Sequence, residues 1–171
     1  MSSLNLQPIS FARGAPSVDI IDIEGLQAAA QQALTNDPSG TTAYGTAVGY
    51  QPLREWVAEQ HGVSPEHVLL TNGSMQADAF LFQLLVAKGD AVIVEKPTYD
   101  RTLLSLQKRG AKITAIDLEA DGISLSQLKA QLAQIGQLKL AHIIPNFQNP
   151  AGVTLSQAKR EELLALARQH D

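Results

Sequence analysis

Cysteine is absent from the 171 residues, so neither a disulfide framework nor a thiolate zinc site can form. The four histidines, His61, His67, His142 and His170, show no spacing suited to a shared ion, and no metal is expected. The net charge is −4, with no basic block and no RNA-type aromatic motif, so nucleic acid is not expected as a partner. No apolar stretch approaches the ~20 residues of a membrane span. Met1 to Phe11 also lacks the basic start and apolar run of a targeting signal. These absences predict a soluble chain in the cytoplasm, without a membrane partner.

What is present is ordinary for a folded domain: 44% hydrophobic and 18% charged residues in a length that fits a single core. The start of the chain, to Val18, carries Pro8, Gly14 and Pro16 among polar residues and reads as an irregular arm. Ile23 to Asn36 reads as a helix, with Asn36-Asp37-Pro38-Ser39-Gly40 as a firm stop and a flexible segment over Gly40 to Gly49. Tyr50 to His61 reads as a second helix, with Leu53, Trp56 and Val57 on one side and Gly62 as its cap.

From Val68 onward, short apolar runs alternate with helical stretches, the pattern of βαβ units around a mainly parallel sheet. The strand candidates are Val68–Thr71, Ala91–Glu95, Lys112–Asp117 and Leu140–Ile144. Helices are expected over Ser74–Val86, apolar nearly all round, and over Tyr99–Arg109. Two more helices are expected to start at capping boxes, Ser124 with Gln127 and Thr154 with Gln157. In such an alternation a strand should follow Asp171, so the pattern halts midway.

Three loops carry chemistry. Thr71 to Ala77 turns from a strand into a helix, where free backbone N–H groups and the positive helix end make an anion site. Gly73 admits close approach there, and Ser74 and Gln76 can add donors; taken alone, the segment is equally a well-capped helix start. Glu95 to Asp100 lies at the next strand end, where Tyr99 could lay its ring on a flat ligand or pack on its own helix. Ile144 to Gly152 forms a rigid polar loop in which Asn149, ahead of Pro150, could offer its amide to a ring hydroxyl. Three such loops at one sheet edge point to a bound ligand. Lys96 adjoins the second loop, but nothing in the sequence lowers its pKa, and a solvated role fits it better.

These motifs, in this order and spacing, resemble the fold-type I pyridoxal-phosphate enzymes, specifically class I/II aminotransferases near the 2-aminoadipate and aromatic group. The resemblance runs from Ile9 to Asp171 and covers less than half of a complete member. It implies an α/β fold: the three-layer, mostly parallel open sheet of the large domain, truncated. Residues 1–49 would be arm, helix and flexible segment, residues 50–171 the first part of the cofactor-binding domain, and the C-terminal small domain would be absent.

It implies pyridoxal 5'-phosphate as cofactor, with Gly73, Ser74, Met75 and Gln76 as phosphate cup, Tyr99 on the pyridine ring and Asn149 on its phenolic oxygen. Tyr44 would reach the phosphate of a neighbouring subunit in a homodimer with shared sites, and Arg13 and Gly14 would contact substrate. Met75 stands where glutamine is frequent and Ala151 where threonine is usual. The implied reaction is transamination between an amino acid and a 2-oxo acid. The Schiff-base lysine, the aspartate facing the pyridine nitrogen and the carboxylate-binding arginine would lie beyond Asp171, so the 171 residues alone are expected to be inactive. Transcription regulators with an aminotransferase-like effector domain share part of the pattern, and a non-catalytic fragment is the third reading.

Overall fold

A computed structural model describes residues 17–170, and the contacts among them divide the chain between Leu70 and Thr71. The first part holds a short 3-10 turn at Val18–Ile20, then α1 (Ile23–Asn36), α2 (Pro38–Thr42) and α3 (Gln51–His61), and a second 3-10 turn at Pro65–His67. The Asp22 carboxylate caps α1 by accepting the Gly25 N–H at 2.8 Å. The expected stop after Asn36 is also a start. Asp37 ends α1 through its N–H to the Ala33 carbonyl and begins α2 by accepting the Gly40 N–H at 2.9 Å. The Tyr50 hydroxyl donates to the same carboxylate at 2.6 Å.

Gly62, at φ 62°, closes α3 as expected, but the inner face of α3 is not the apolar one. Arg54 and Ala58 are buried, while Leu53 and Trp56 are exposed. The Arg54 guanidinium donates to the carbonyls of Val68 at 2.8 Å and Pro65 at 2.6 Å and to the Gln51 side chain at 3.0 Å. A guanidinium so satisfied can be buried where an unpaired one could not. Val68–Thr71 does not form the expected strand. Val68 is extended, and the Leu70 N–H reaches the Val48 carbonyl at 3.0 Å, but a strand exists only where a neighbour pairs along it.

The second part contains α4 (Ser74–Leu85), β1 (Ala91–Lys96), α5 (Asp100–Lys108), β2 (Lys112–Glu119), β3 (Gly122–Ile123), α6 (Leu125–Leu132), β4 (Leu138–His142) and α7 (Gln157–Gln169). The sheet order is β3-β2-β1-β4; β1 is parallel to both β2 and β4, and β3 folds back antiparallel on β2. That hairpin was not foreseen, and β4 begins and ends two residues before the expected span. Alternation along β1 divides the core into two layers. Val92 and Val94 pack with Phe82 and Val86 of the α4 region and Leu106 of α5. Ile93 faces the other way, with Ile116, Ile123, Leu128 and Leu132, against which Leu163 and Leu166 of α7 pack. The result is the three-layer, mostly parallel arrangement expected. Fully buried Ile93, Leu106 and Ile116 each contribute roughly 2 kcal/mol by leaving water.

Neither capping box forms as expected. Ser124 precedes α6, but Gln127 turns its carbonyl to the Asp117 N–H at 2.7 Å. α7 is capped by Ser156, two residues later than expected, while the Thr154 hydroxyl accepts from the Phe147 N–H at 3.2 Å. A hydroxyl near a helix start goes to whichever unpaired donor the tertiary fold presents. Among the described residues, no helix is long and apolar enough to cross a membrane.

Candidate functional site

α4 begins where it does because Gly73 sits at φ 79°, ψ 168°, which an L side chain rarely adopts. No side chain caps this start, and the Gln76 N–H is taken by the Gly73 carbonyl at 3.2 Å. Among the described residues, the N–H groups of Ser74 and Met75 have no acceptor. Two free donors at the positive end of a 12-residue helix favour an anion.

This start opens onto a cleft of about 620 Å³, within the range usual for small-molecule sites. Its lining includes Gly73, Ser74 and Met75 from the α4 start, Tyr99 and Thr102 from the segment after β1, and Ile143, Ile144, Pro145 and Asn149 after β4. Three loops that are distant in sequence thus meet at the C-terminal edge of parallel strands, where open α/β sheets collect ligands. The Tyr99 hydroxyl approaches the Met75 sulfur at 3.6 Å. The peptide bonds before Pro97 and Pro150 are both cis.

Not every expected residue joins the cleft. Gln76 is near in sequence but absent from the lining; its side-chain carbonyl folds back to accept the Asn72 N–H at 2.6 Å. Tyr44 belongs to the first part of the chain and is fully exposed. Arg13 and Gly14 lie outside the described residues. Lys96, the last residue of β1, pairs with Asp117 at 3.3 Å, both side chains exposed, so the lysine is solvated. Asn146 accepts from Arg160 at 2.7 Å.

The cleft also holds residues that the sequence reading passed over. His142 Nε2 lies 3.3 Å from Asp78 Oδ2, and both residues line the wall. Among the described residues, the other ring nitrogen, Nδ1, is buried without a partner, as is the Thr102 hydroxyl. Buried polar atoms without partners are rare in folded proteins, and both of these belong to residues of the cleft wall. The sequence offered little signal: His142 stands two residues before the loop already singled out, inside the strand expected over Leu140–Ile144, and only the structure ends β4 at it.

Beside the cleft, Glu95 is buried at 2% exposure in a strand otherwise apolar from Ala91 to Val94. Burial pushes its carboxyl above its ordinary value, against the opposing effects of the Ile144 N–H, the Gln148 amide and His142. The donor set therefore suits a flat anionic ligand: helix-start N–H groups for an anion, an aromatic ring for a planar group, and the Asn149 amide for a ring oxygen. Among the described residues, no three His, Asp or Glu side chains cluster as metal ligands do.

The family model described as aminotransferase class I and II matches residues 7–171. An aromatic-amino-acid aminotransferase of Thermococcus litoralis is 31% identical, covering 95% of this chain and 42% of its own length. The solved structure of an alpha-aminoadipate aminotransferase from Thermus thermophilus, complexed with N-(5'-phosphopyridoxyl)-L-leucine, superposes with a TM-score of 0.85 at 30% identity. It covers 93% of this chain and 41% of that one. An HTH-type transcriptional regulator of Bacillus subtilis, YcxD, is 27% identical over 96% of this chain and 38% of its own. The chain thus spans about two fifths of the length of these relatives.

Proposed function

Because this chain belongs to the class I and II aminotransferases, whose cofactor is pyridoxal phosphate, we propose that the complete protein carries out transamination between an amino acid and a 2-oxo acid. The observation that carries the reading is the convergence of Gly73, Ser74, Met75, Tyr99 and Asn149 on one cleft at the helix start. In this reading the Ser74 and Met75 N–H groups hold the cofactor phosphate, aided by the Ser74 hydroxyl, with Gly73 leaving room for it and Gln76 bracing the turn. Tyr99 covers one face of the ring, and the Asn149 amide donates to the phenolic oxygen. When bound, pyridoxal phosphate supplies the sink for the electrons left when an amino acid loses its α-proton. The chain's own residues orient that ring and keep water from one of its faces.

The full exposure of Tyr44 supports a role outside its own subunit, at the phosphate of the neighbouring subunit in a homodimer. Arg13 and Gly14 are proposed as substrate contacts. Among the described residues no lysine lines the cleft, which supports the reading that the 171 residues by themselves hold the cofactor without turning over substrate. The similarity to YcxD favours a second reading, cofactor binding by an effector domain without transamination.

The test uses the native gene product, with its intact mass determined. It should carry the visible absorbance of bound pyridoxal phosphate and move an amino group from an amino acid to a 2-oxo acid, and Asn149→Ala should impair both. Bound cofactor without transfer would support the second reading. Absence of both binding and transfer would sink the proposal.

A further inference from the structure

The side chain of Gln148 is buried at 2% exposure and engages both of its N–H donors and its carbonyl oxygen. Its amide nitrogen donates to Glu95 Oε2 at 3.2 Å and to the Pro97 carbonyl at 2.8 Å; its carbonyl accepts the Ala151 N–H at 2.9 Å. The same Glu95 oxygen accepts the Ile144 N–H at 3.0 Å. One buried carboxyl and one buried amide therefore join the end of β1, the turn leading to Tyr99, and both sides of the loop that carries Asn149. Neither side chain lines the cleft.

We propose that Glu95 and Gln148 are positioning residues, a clamp that sets the Tyr99 ring and the Asn149 amide at the separation a bound pyridoxal phosphate requires. The proposal rests on the reading of Tyr99 and Asn149 as cofactor contacts. Two surface loops joined only by their own turns would drift relative to one another. A satisfied network in low dielectric holds them, and one partner lost leaves the other buried and unpaired. The chemistry is directional. Gln148 must donate twice, to a carboxylate and to a carbonyl, and glutamate cannot donate to either when ionised.

The experiment uses the full native gene product and near-isosteric changes. Gln148→Glu sets two carboxyls against each other and a carboxylate against the Pro97 carbonyl; Glu95→Gln keeps an acceptor oxygen for both bonds. The readouts are the dissociation constant of pyridoxal phosphate, the visible band of the bound cofactor and the melting temperature of the cofactor-free protein, with Asn149→Ala alongside. Q148E is expected to weaken binding about tenfold and to move the band in the direction N149A moves it. E95Q should stay within about threefold of the wild type. A lower melting temperature in Q148E with unchanged affinity and band would mean the pair is merely structural, which overturns the proposal. Should Q148E not fold, Gln148→Met, which keeps the bulk and drops every bond, takes its place with the same expectations. If N149A changes neither affinity nor band, the underlying reading fails and this proposal falls with it; if N149A responds and the Gln148 variants do not, this proposal alone fails.

Discussion

Glu95 is the residue at which sequence and environment conflict most: a carboxyl in a strand whose other inward positions are valine and isoleucine. Burial raises its pKa above 4.5, so ionisation costs folding free energy. For an acid whose folded value is raised, stability is greatest below the unfolded value and falls as pH rises towards the folded one. Replacement by glutamine removes that slope. The melting temperature of E95Q should therefore gain on the wild type as pH rises from 4.5, and then level off. A difference that stays constant from about pH 4 to pH 7 would show that desolvation does not govern this carboxyl. Asn149 and Tyr99 were legible from their motifs because each stands within two residues of a proline in a loop that follows a strand. Asp78 was not, since a single acid in an apolar helix carries no signal until His142 is brought to it from 64 residues away.

At the scale of elements, α7 docks on the β2–β3 hairpin through Lys159, which lies 2.7 Å from both Glu119 and Asp121. Hydrogen bonds from Lys159 hold both carboxyls below their ordinary values. Burial works against the lysine charge, but Asp121 and Glu119 outweigh it and raise the Lys159 pKa. The carboxylates' contribution is present above their ordinary values of 4.5 and 3.8 and is lost as pH falls below them; that of Lys159 is present up to 10.5 and is lost above. The destabilisation caused by Lys159→Met should thus shrink when urea unfolding is repeated at about pH 3 instead of about pH 6. An equal penalty at both pH values would assign the loss to packing of the lysine stem. Helix positions were readable from apolar spacing and from Gly62 as a C-terminal cap, but the N-terminal caps were not. Ser156 and Thr154 are both hydroxyls near the same helix start, and the Phe147 N–H decides which of them is free.

At the scale of the whole molecule, the second part of the chain presents an open strand edge and outward apolar side chains. Among the described residues β4 pairs with β1 on one side, and its other edge is unpaired. Leu84 is 80% exposed on α4, with Phe80 and Leu81 also outward. Open edges and apolar patches promote association. A polypeptide of these 171 residues alone should self-associate in sedimentation at micromolar concentration and should transfer no amino group faster than free pyridoxal phosphate does. A monodisperse monomer, or turnover above that background, would contradict the expectation.

The sequence by itself determined the βαβ alternation, the strands Ala91 and Lys112 begin, the glycine at the helix start and the motifs that mark the family, because these follow from local periodicity, backbone sterics and short-range spacing. Tertiary structure alone decided which polar groups are paired. It turned Arg54 inward and Trp56 outward, left Val68–Thr71 without a ladder, gave Thr154 to a loop and set Glu95 against Gln148. Each of those outcomes depends on which donor or acceptor a distant segment supplies, and one-dimensional spacing carries no record of that.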